Sequence, residues 1–181
     1  MGDFVRGTPQ SLRKTYPDSL IAGIMLHRSI DRFTDDHPLF LESKKFLHPD
    51  RRRFAGIIID IFFDHFLSLS WEKYSDTSLT DFIDETHNIL DRRAEWLTPE
   101  LAIICQKMAK QDWLASYQTI SGLALTFERA KTRRNFLAPL AGAEQDLSKH
   151  YSEFEKHFHQ FYPELSSFAK SENPGEAFTW E

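Results

Sequence analysis

The chain has 181 residues, long enough for one domain with a substantial core, and its seven glycines and eight prolines are too few for a loop-rich all-β fold. A formal charge of −5, from 22 basic and 27 acidic side chains, excludes a general nucleic-acid binder. Cys105 is the single cysteine, which excludes an intramolecular disulfide and a multi-cysteine zinc site and fits a reducing compartment.

Taken in chain order, the pattern is helical nearly throughout. No apolar targeting segment opens the chain. "YPDSLIAGIMLHRSIDRFTDD" has apolar residues at helical spacing. Pro17 and Asp18 suit its start, and Pro38 marks its end. A short helix over "PLFLESKKFL" follows. The next stretch predicts one long helix from about Pro49 to Tyr74, containing "GIIIDIFFDHFL". Ser78 and Asp81 stand at capping-box spacing. Thr98, Pro99 and Glu100 form a helix start, with Thr98 as N-cap and Pro99 at the first helical position. "DWLASYQTISGLALTFERAKTR" reads as one helix bent near Gly122, or as two. "GAEQDLSKHYSEFEKHFHQFYPELSSFAKS" reads as a charged, aromatic helix interrupted at Pro163. The expectation is an all-α fold: a single compact domain of about seven to eight helices over residues 1–171, with a loosely held tail at 172–181. Asp60 and Asp64 interrupt the longest apolar runs, so no membrane span is expected and a soluble cytoplasmic protein follows.

Two stretches carry the chemistry. In "LHRSIDRFTDDHP", His27, Asp31 and Asp35 fall at i, i+4 and i+8. Each step advances only about 40° around a helix, so the three form one stripe. In "GIIIDIFFDHFL", apolar residues cover the whole helix circumference, which predicts a buried helix, yet it carries Asp60, Asp64 and His65. Carboxylates at i and i+4 share a face about 6 Å apart, and ionised carboxylates in apolar surroundings need a cation or an arginine. If the first stripe faces Asp60 and Asp64, imidazole and carboxylates converge. That donor set suits manganese, iron or magnesium. The competing arrangement pairs Asp31 and Asp35 with Arg28 and Arg32 on a solvated face. The sequence has no His-Glu-x-x-His, no Glu-x-x-His and no glycine-rich phosphate loop, which argues against zincin, ferritin-like and phosphate-loop chemistries. Lys44, Lys45, Arg51, Arg52 and Arg53 form a local basic cluster suited to an acidic partner or substrate.

"GDFVRG" at Gly2 to Gly7, "AGIMLHRSIDRFTD" at Ala22 to Asp35 and "DIFFDHFLSLSW" at Asp60 to Trp71, followed by "NFLAPLAGAEQDLSKHYSEFEKHFHQFYP" at Asn135 to Pro163, resemble the acyl carrier protein phosphodiesterase family. The resemblance spans nearly the whole chain. It implies an all-α enzyme distantly similar to the HD-domain phosphohydrolases. Such an enzyme uses a divalent cation, often manganese, to cleave 4′-phosphopantetheine from the serine of holo-acyl carrier protein, leaving apo-acyl carrier protein. By motif position it implies Asp3, His27, Asp31, Asp60 and Asp64 as metal ligands, with Asp35 and His65 as supporting residues. The Asp64-His65 pair is the reverse of the His-Asp pair of true HD proteins. The family usually carries an Asn-Phe-Leu-Ala-His-type segment ahead of Gly-Asp-Phe. The resemblance then implies that residues 1–181 by themselves fold but hold metal weakly.

The expected mechanism has Asp31 or Asp64 orient or deprotonate a water, and Arg28 or Arg32 offset charge on the phosphoryl oxygens. The five basic residues from Lys44 to Arg53 would dock the acidic carrier protein. Two alternatives stand beside this reading. One is a helical phosphohydrolase with another phosphodiester substrate. The other is a non-catalytic module that binds an acidic partner.

Overall fold

The computed structural model describes residues 2–111, 113–133 and 135–172, and among them there is no strand. After a one-turn helix α1 (Pro9–Leu12) come α2 (Asp18–Asp36), α3 (Pro38–Ser43) and α4 (Ala55–Leu69). Next are α5 (Leu79–Arg92), α6 (Pro99–Gln111), α7 (Trp113–Ser116), α8 (Ile120–Arg133), α9 (Glu144–Lys149) and α10 (Tyr151–Glu172). The arrangement is all-α and forms one domain. Residues 173–181 of the expected tail lie outside the described residues, and Glu172 still belongs to α10.

The capping signals act as the sequence implies. The Ser78 hydroxyl accepts from the Asp81 amide at 3.0 Å and donates to the Asp81 carboxylate at 2.7 Å. The Leu101 amide donates to Thr98 Oγ1 at 3.3 Å. Between α7 and α8 the chain turns tightly, so "DWLASYQTISGLALTFERAKTR" holds two helices. A Cβ at Gly122 would stand 1.9 Å from the Ser116 carbonyl oxygen, so only glycine allows this turn.

Two boundaries differ from the expectation. The long helix over Pro49–Tyr74 is divided. Pro49–Phe54 and Trp71–Lys73 are 3-10 turns, and only Ala55–Leu69 is α-helical. The aromatic-rich helix is broken at His150, not at Pro163. Pro163 sits exposed inside α10. A mid-helix proline costs about 3 kcal/mol. Apolar burial on both sides offsets it, with Phe154, Phe158 and Phe161 buried before it and Phe168 stacked on Phe33 at 4.4 Å after it. His150 stacks on Phe46 at 5.1 Å, where the chain changes direction.

α4 is the centre of the main core. Ile58, Ile59, Phe62 and Phe66 are fully enclosed by residues of α3, α8, α9 and α10. Phe62 meets Phe154 edge-on at 5.0 Å and Phe127 at 6.0 Å, the spacing that aromatic rings favour. α10 packs along α2, α3 and α4 and so sets the distance between α2 and α4. A second, smaller cluster of Val5, Leu12, Ile21 and Ile24 fastens the N-terminal segment to the start of α2.

Candidate functional site

α2, α4 and α10 leave a cleft of about 670 Å³ between them. One side carries Asp3, the α2 residues His27, Asp31 and Asp35, and the α4 residues Asp60 and Asp64. The other is apolar, with Phe158, Phe161 and Leu165 from α10 and Phe63 from α4. The buried α4 expected from its composition is therefore open along one face. Ile57 is 45% exposed, and Asp60 and Asp64 reach solvent through the cleft. α3, α8, α9 and α10 pack around the rest of the helix, and the cleft keeps this face clear.

Asp3, His27 and Asp31 stand closest together, with one ligand atom from each within 4.8 Å of the others. His27 Nε2 lies 3.4 Å from an Asp3 oxygen and 3.3 Å from an Asp31 oxygen. Despite these distances, His27 Nε2 is closed to water and makes no hydrogen bond among the described residues. A buried ring nitrogen without a hydrogen bond, set between two carboxylates, fits a divalent cation. Gly2 makes this approach possible, because a Cβ there would stand 1.8 Å from the His27 ring.

Asp60 and Asp64 stand on α4, facing that cluster. Burial pushes the Asp60 carboxyl up to about 7, and the carboxylates of Asp64, Asp31, Asp35 and Asp3 add to the shift. Burial alone pushes Asp64 up to about 7. Both side chains are exposed along the cleft while protein surrounds them on the other sides, so the penalty on their charge is milder than in a sealed cavity. Asp31 is raised too, first by burial and then by Asp3 and Asp35, with His27 pulling the other way. Crowded carboxylates of this kind are what a bound cation relieves.

Other expected residues are engaged elsewhere. The Arg28 guanidinium donates to the main-chain oxygens of Gly7, at 2.8 Å, and Val5. It holds the segment that carries Asp3 and does not line the cleft. Arg32 lines a separate hollow beside Phe33 and His37. Neither arginine forms an ion pair with Asp31 or Asp35 among the described residues. His65 points into the core, the opposite way from Asp64. Its Nδ1 is 2.6 Å from the Tyr117 carbonyl and its Nε2 is 3.0 Å from the Tyr151 hydroxyl. Burial holds its pKa below the usual histidine range.

The basic cluster divides in the same way. Arg51 pairs with Asp146 at 3.2 Å and donates to the carbonyls of Pro139 and Ala141. Arg52 donates to the carbonyls of Leu47 and Lys45. Lys44 lies over the Phe40 ring. The Lys45 and Arg53 side chains are exposed, Arg53 resting on Phe54. Sequence reasoning missed Thr34 and Tyr162 as part of the cleft, and Gly2 as the residue packed against the His27 ring. The Gly-Asp-Phe motif pointed only to Asp3. Nothing in the spacing marked the α10 residues, which reach the cleft only through tertiary packing.

The model of the acyl carrier protein phosphodiesterase family matches residues 1–165. The chain belongs to that family. An acyl carrier protein phosphodiesterase of Yersinia enterocolitica is 38% identical over 94% of this chain and 87% of its own. Those of Photorhabdus laumondii and Pectobacterium atrosepticum are each 33% identical, covering 96% and 95% of this chain and 86% and 88% of theirs. No solved structure matches. As a member of the acyl carrier protein phosphodiesterase family, the chain has the three motif segments of its first 71 residues at one cleft: Asp3, the His27–Asp35 stripe and the Asp60–Asp64 pair.

Proposed function

We propose that this enzyme hydrolyses the phosphodiester between 4′-phosphopantetheine and the serine of holo-acyl carrier protein. The observation that carries this reading is a cluster of carboxylates around one imidazole, whose Nε2 makes no hydrogen bond, at an aromatic-walled cleft, in a chain of this family. Water adds to phosphorus, the bond from phosphorus to the serine oxygen breaks, and the serine oxygen leaves with a proton. The products are apo-acyl carrier protein and 4′-phosphopantetheine.

Asp3, His27 and Asp31, with Asp60 and Asp64 opposite, would hold a divalent cation, and oxygen-rich donors with one imidazole suit manganese, with magnesium or iron as alternatives. When bound, the cation supplies positive charge for the phosphoryl oxygens and lowers the pKa of water. Asp31 or Asp64 would orient the attacking water or take its proton. Phe158, Phe161 and Leu165 offer apolar surface for the pantetheine arm. Arg28 acts at a distance, by fixing the segment that carries Asp3. The carrier protein is acidic, and the exposed Lys45 and Arg53 are the members of the basic cluster free to meet it. This reading puts the enzyme in the cytoplasm, and no helix of the described residues is long and apolar enough to cross a membrane.

Mass spectrometry of the carrier protein tests the proposal. Holo-carrier protein incubated with the enzyme and manganese should lose the mass of the prosthetic group, and Asp60→Asn should slow that loss by two orders of magnitude or more, a loss typical of catalytic acid–base groups. Unchanged holo-carrier protein beside rapid cleavage of a generic phosphodiester would move the assignment to another substrate.

A further inference from the structure

The cleft poses a problem for an anionic substrate. Its lining has five carboxylates and no lysine or arginine among the described residues. A phosphodiester entering it meets repulsion on the α2 and α4 side, which a cation relieves in part. Neutral hydrogen-bond donors can hold phosphoryl oxygens without adding charge. Two hydroxyls line the cleft, those of Thr34 and Tyr162. Thr34 shares α2 with the carboxylates. Tyr162 comes from the α10 wall, where the other lining residues are apolar.

The tyrosines of this region differ in what their hydroxyls do. Tyr151 bonds His65 at 3.0 Å, and Tyr74 bonds His159 at 3.0 Å. Tyr162 has no hydrogen-bond partner among the described residues. Its ring is nevertheless fixed, with Tyr74 at 4.6 Å and Phe158 at 5.4 Å between centroids. A tyrosine phenol keeps its proton at neutral pH, so it can act as a donor. A rigidly held, unpartnered donor on the apolar wall of an acidic cleft is a preorganised group awaiting an acceptor.

We infer that the Tyr162 hydroxyl donates a hydrogen bond to a non-bridging oxygen of the bound phosphoryl group, opposite the carboxylate wall. The inference rests on the phosphodiesterase reading for its substrate but not for its measurement. The bond forms to substrate and to phosphate product alike, and the phenol transfers no proton.

The test uses the full chain with manganese, as parent, Tyr162→Phe and Tyr74→Phe. Inorganic phosphate binding is followed by calorimetry and holo-carrier protein hydrolysis by mass. Tyr162→Phe should weaken phosphate binding about ten- to a hundredfold, as expected for losing one hydrogen bond to a charged group, and lower kcat/KM similarly, at unchanged Tm. Tyr74→Phe, which removes a bond made within the fold, should lower Tm and leave phosphate affinity alone. Equal phosphate affinity in the parent and Tyr162→Phe overturns the assignment, as does a parent that binds no phosphate. A parent that leaves holo-carrier protein intact, yet binds phosphate in a Tyr162-dependent way, overturns the proposed function and supports the donor.

Discussion

At the scale of single residues, Asp60 dominates the electrostatics. Its carboxyl is raised from an ordinary 3.8 to about 7 by burial and by four neighbouring carboxylates. Asp64, on the next turn of α4, is raised to about 7 by burial. The native state therefore holds these protons at pH values where the unfolded chain has released them. The contribution of these two groups to the stability of the cation-free protein is full below about pH 4 and is lost as pH rises toward 7, because folding then has to bind protons that the unfolded state lacks. Thermal melts from pH 4 to 7 in chelator should show Tm dropping with pH in the parent and dropping less in Asp60→Asn. Adding manganese should raise the parent's Tm most at the upper end of that range. Parallel slopes for the two proteins would show that Asp60 is not strained. The residues of this cluster were legible as types and spacings. The i, i+4, i+8 stripe and the Asp60–Asp64 pair can be read from helical geometry alone. The side to which each arginine turns could not, because the carbonyls that receive Arg28 belong to an irregular segment with no periodicity.

At the scale of elements, the helix starts were legible because caps are local chemistry, as at Ser78 and Thr98. The ends of α4 and the course of α10 were not, because burial decides them. Arg51 illustrates the difference. In sequence it is one of three arginines in a row. In the fold it is mostly buried and ties the turn before α4 to Asp146 of α9 and to the carbonyls of Pro139 and Ala141. Removing one partner of such a pair strands the other. Arg51→Ala should destabilise the protein by about 3 kcal/mol, the cost of breaking a largely buried pair. Arg53→Ala, whose side chain rests in the open on Phe54, should change stability by no more than about 0.5 kcal/mol. Urea denaturation of the two variants compares them directly, and similar midpoints would show that the Arg51 network contributes little.

Across the whole molecule, the fold separates support from encounter. The aromatic core around α4 and α10 holds the cleft open, while Lys45 and Arg53 remain on the outside near the entry to α4. An acidic carrier protein approaching that side gains long-range attraction that salt screens within about 10 Å. The double charge reversal Lys45→Glu with Arg53→Glu should raise KM for holo-carrier protein several-fold and flatten its salt dependence. A small phosphodiester should be cleaved as before. Equal losses on both substrates would show that the two residues act on the cleft and not on docking. The all-α class and the one-domain size were legible from composition and period. The juxtaposition of α2, α4 and α10 was not, since it comes from ring packing between segments more than 100 residues apart, such as Phe33 with Phe168.

The small apolar cluster of Val5, Leu12, Ile21 and Ile24 is separate from the main core. It fastens residues 2–7 to α2 apart from the main core, so a local opening there would leave α4 and α10 folded. Detachment would carry Asp3 away from His27 and leave the other donors in place. A cation held by Asp3 together with His27 and Asp31 would oppose that opening by joining residues 2–7 to α2. Amide exchange in that segment would then report on the occupancy of the cleft.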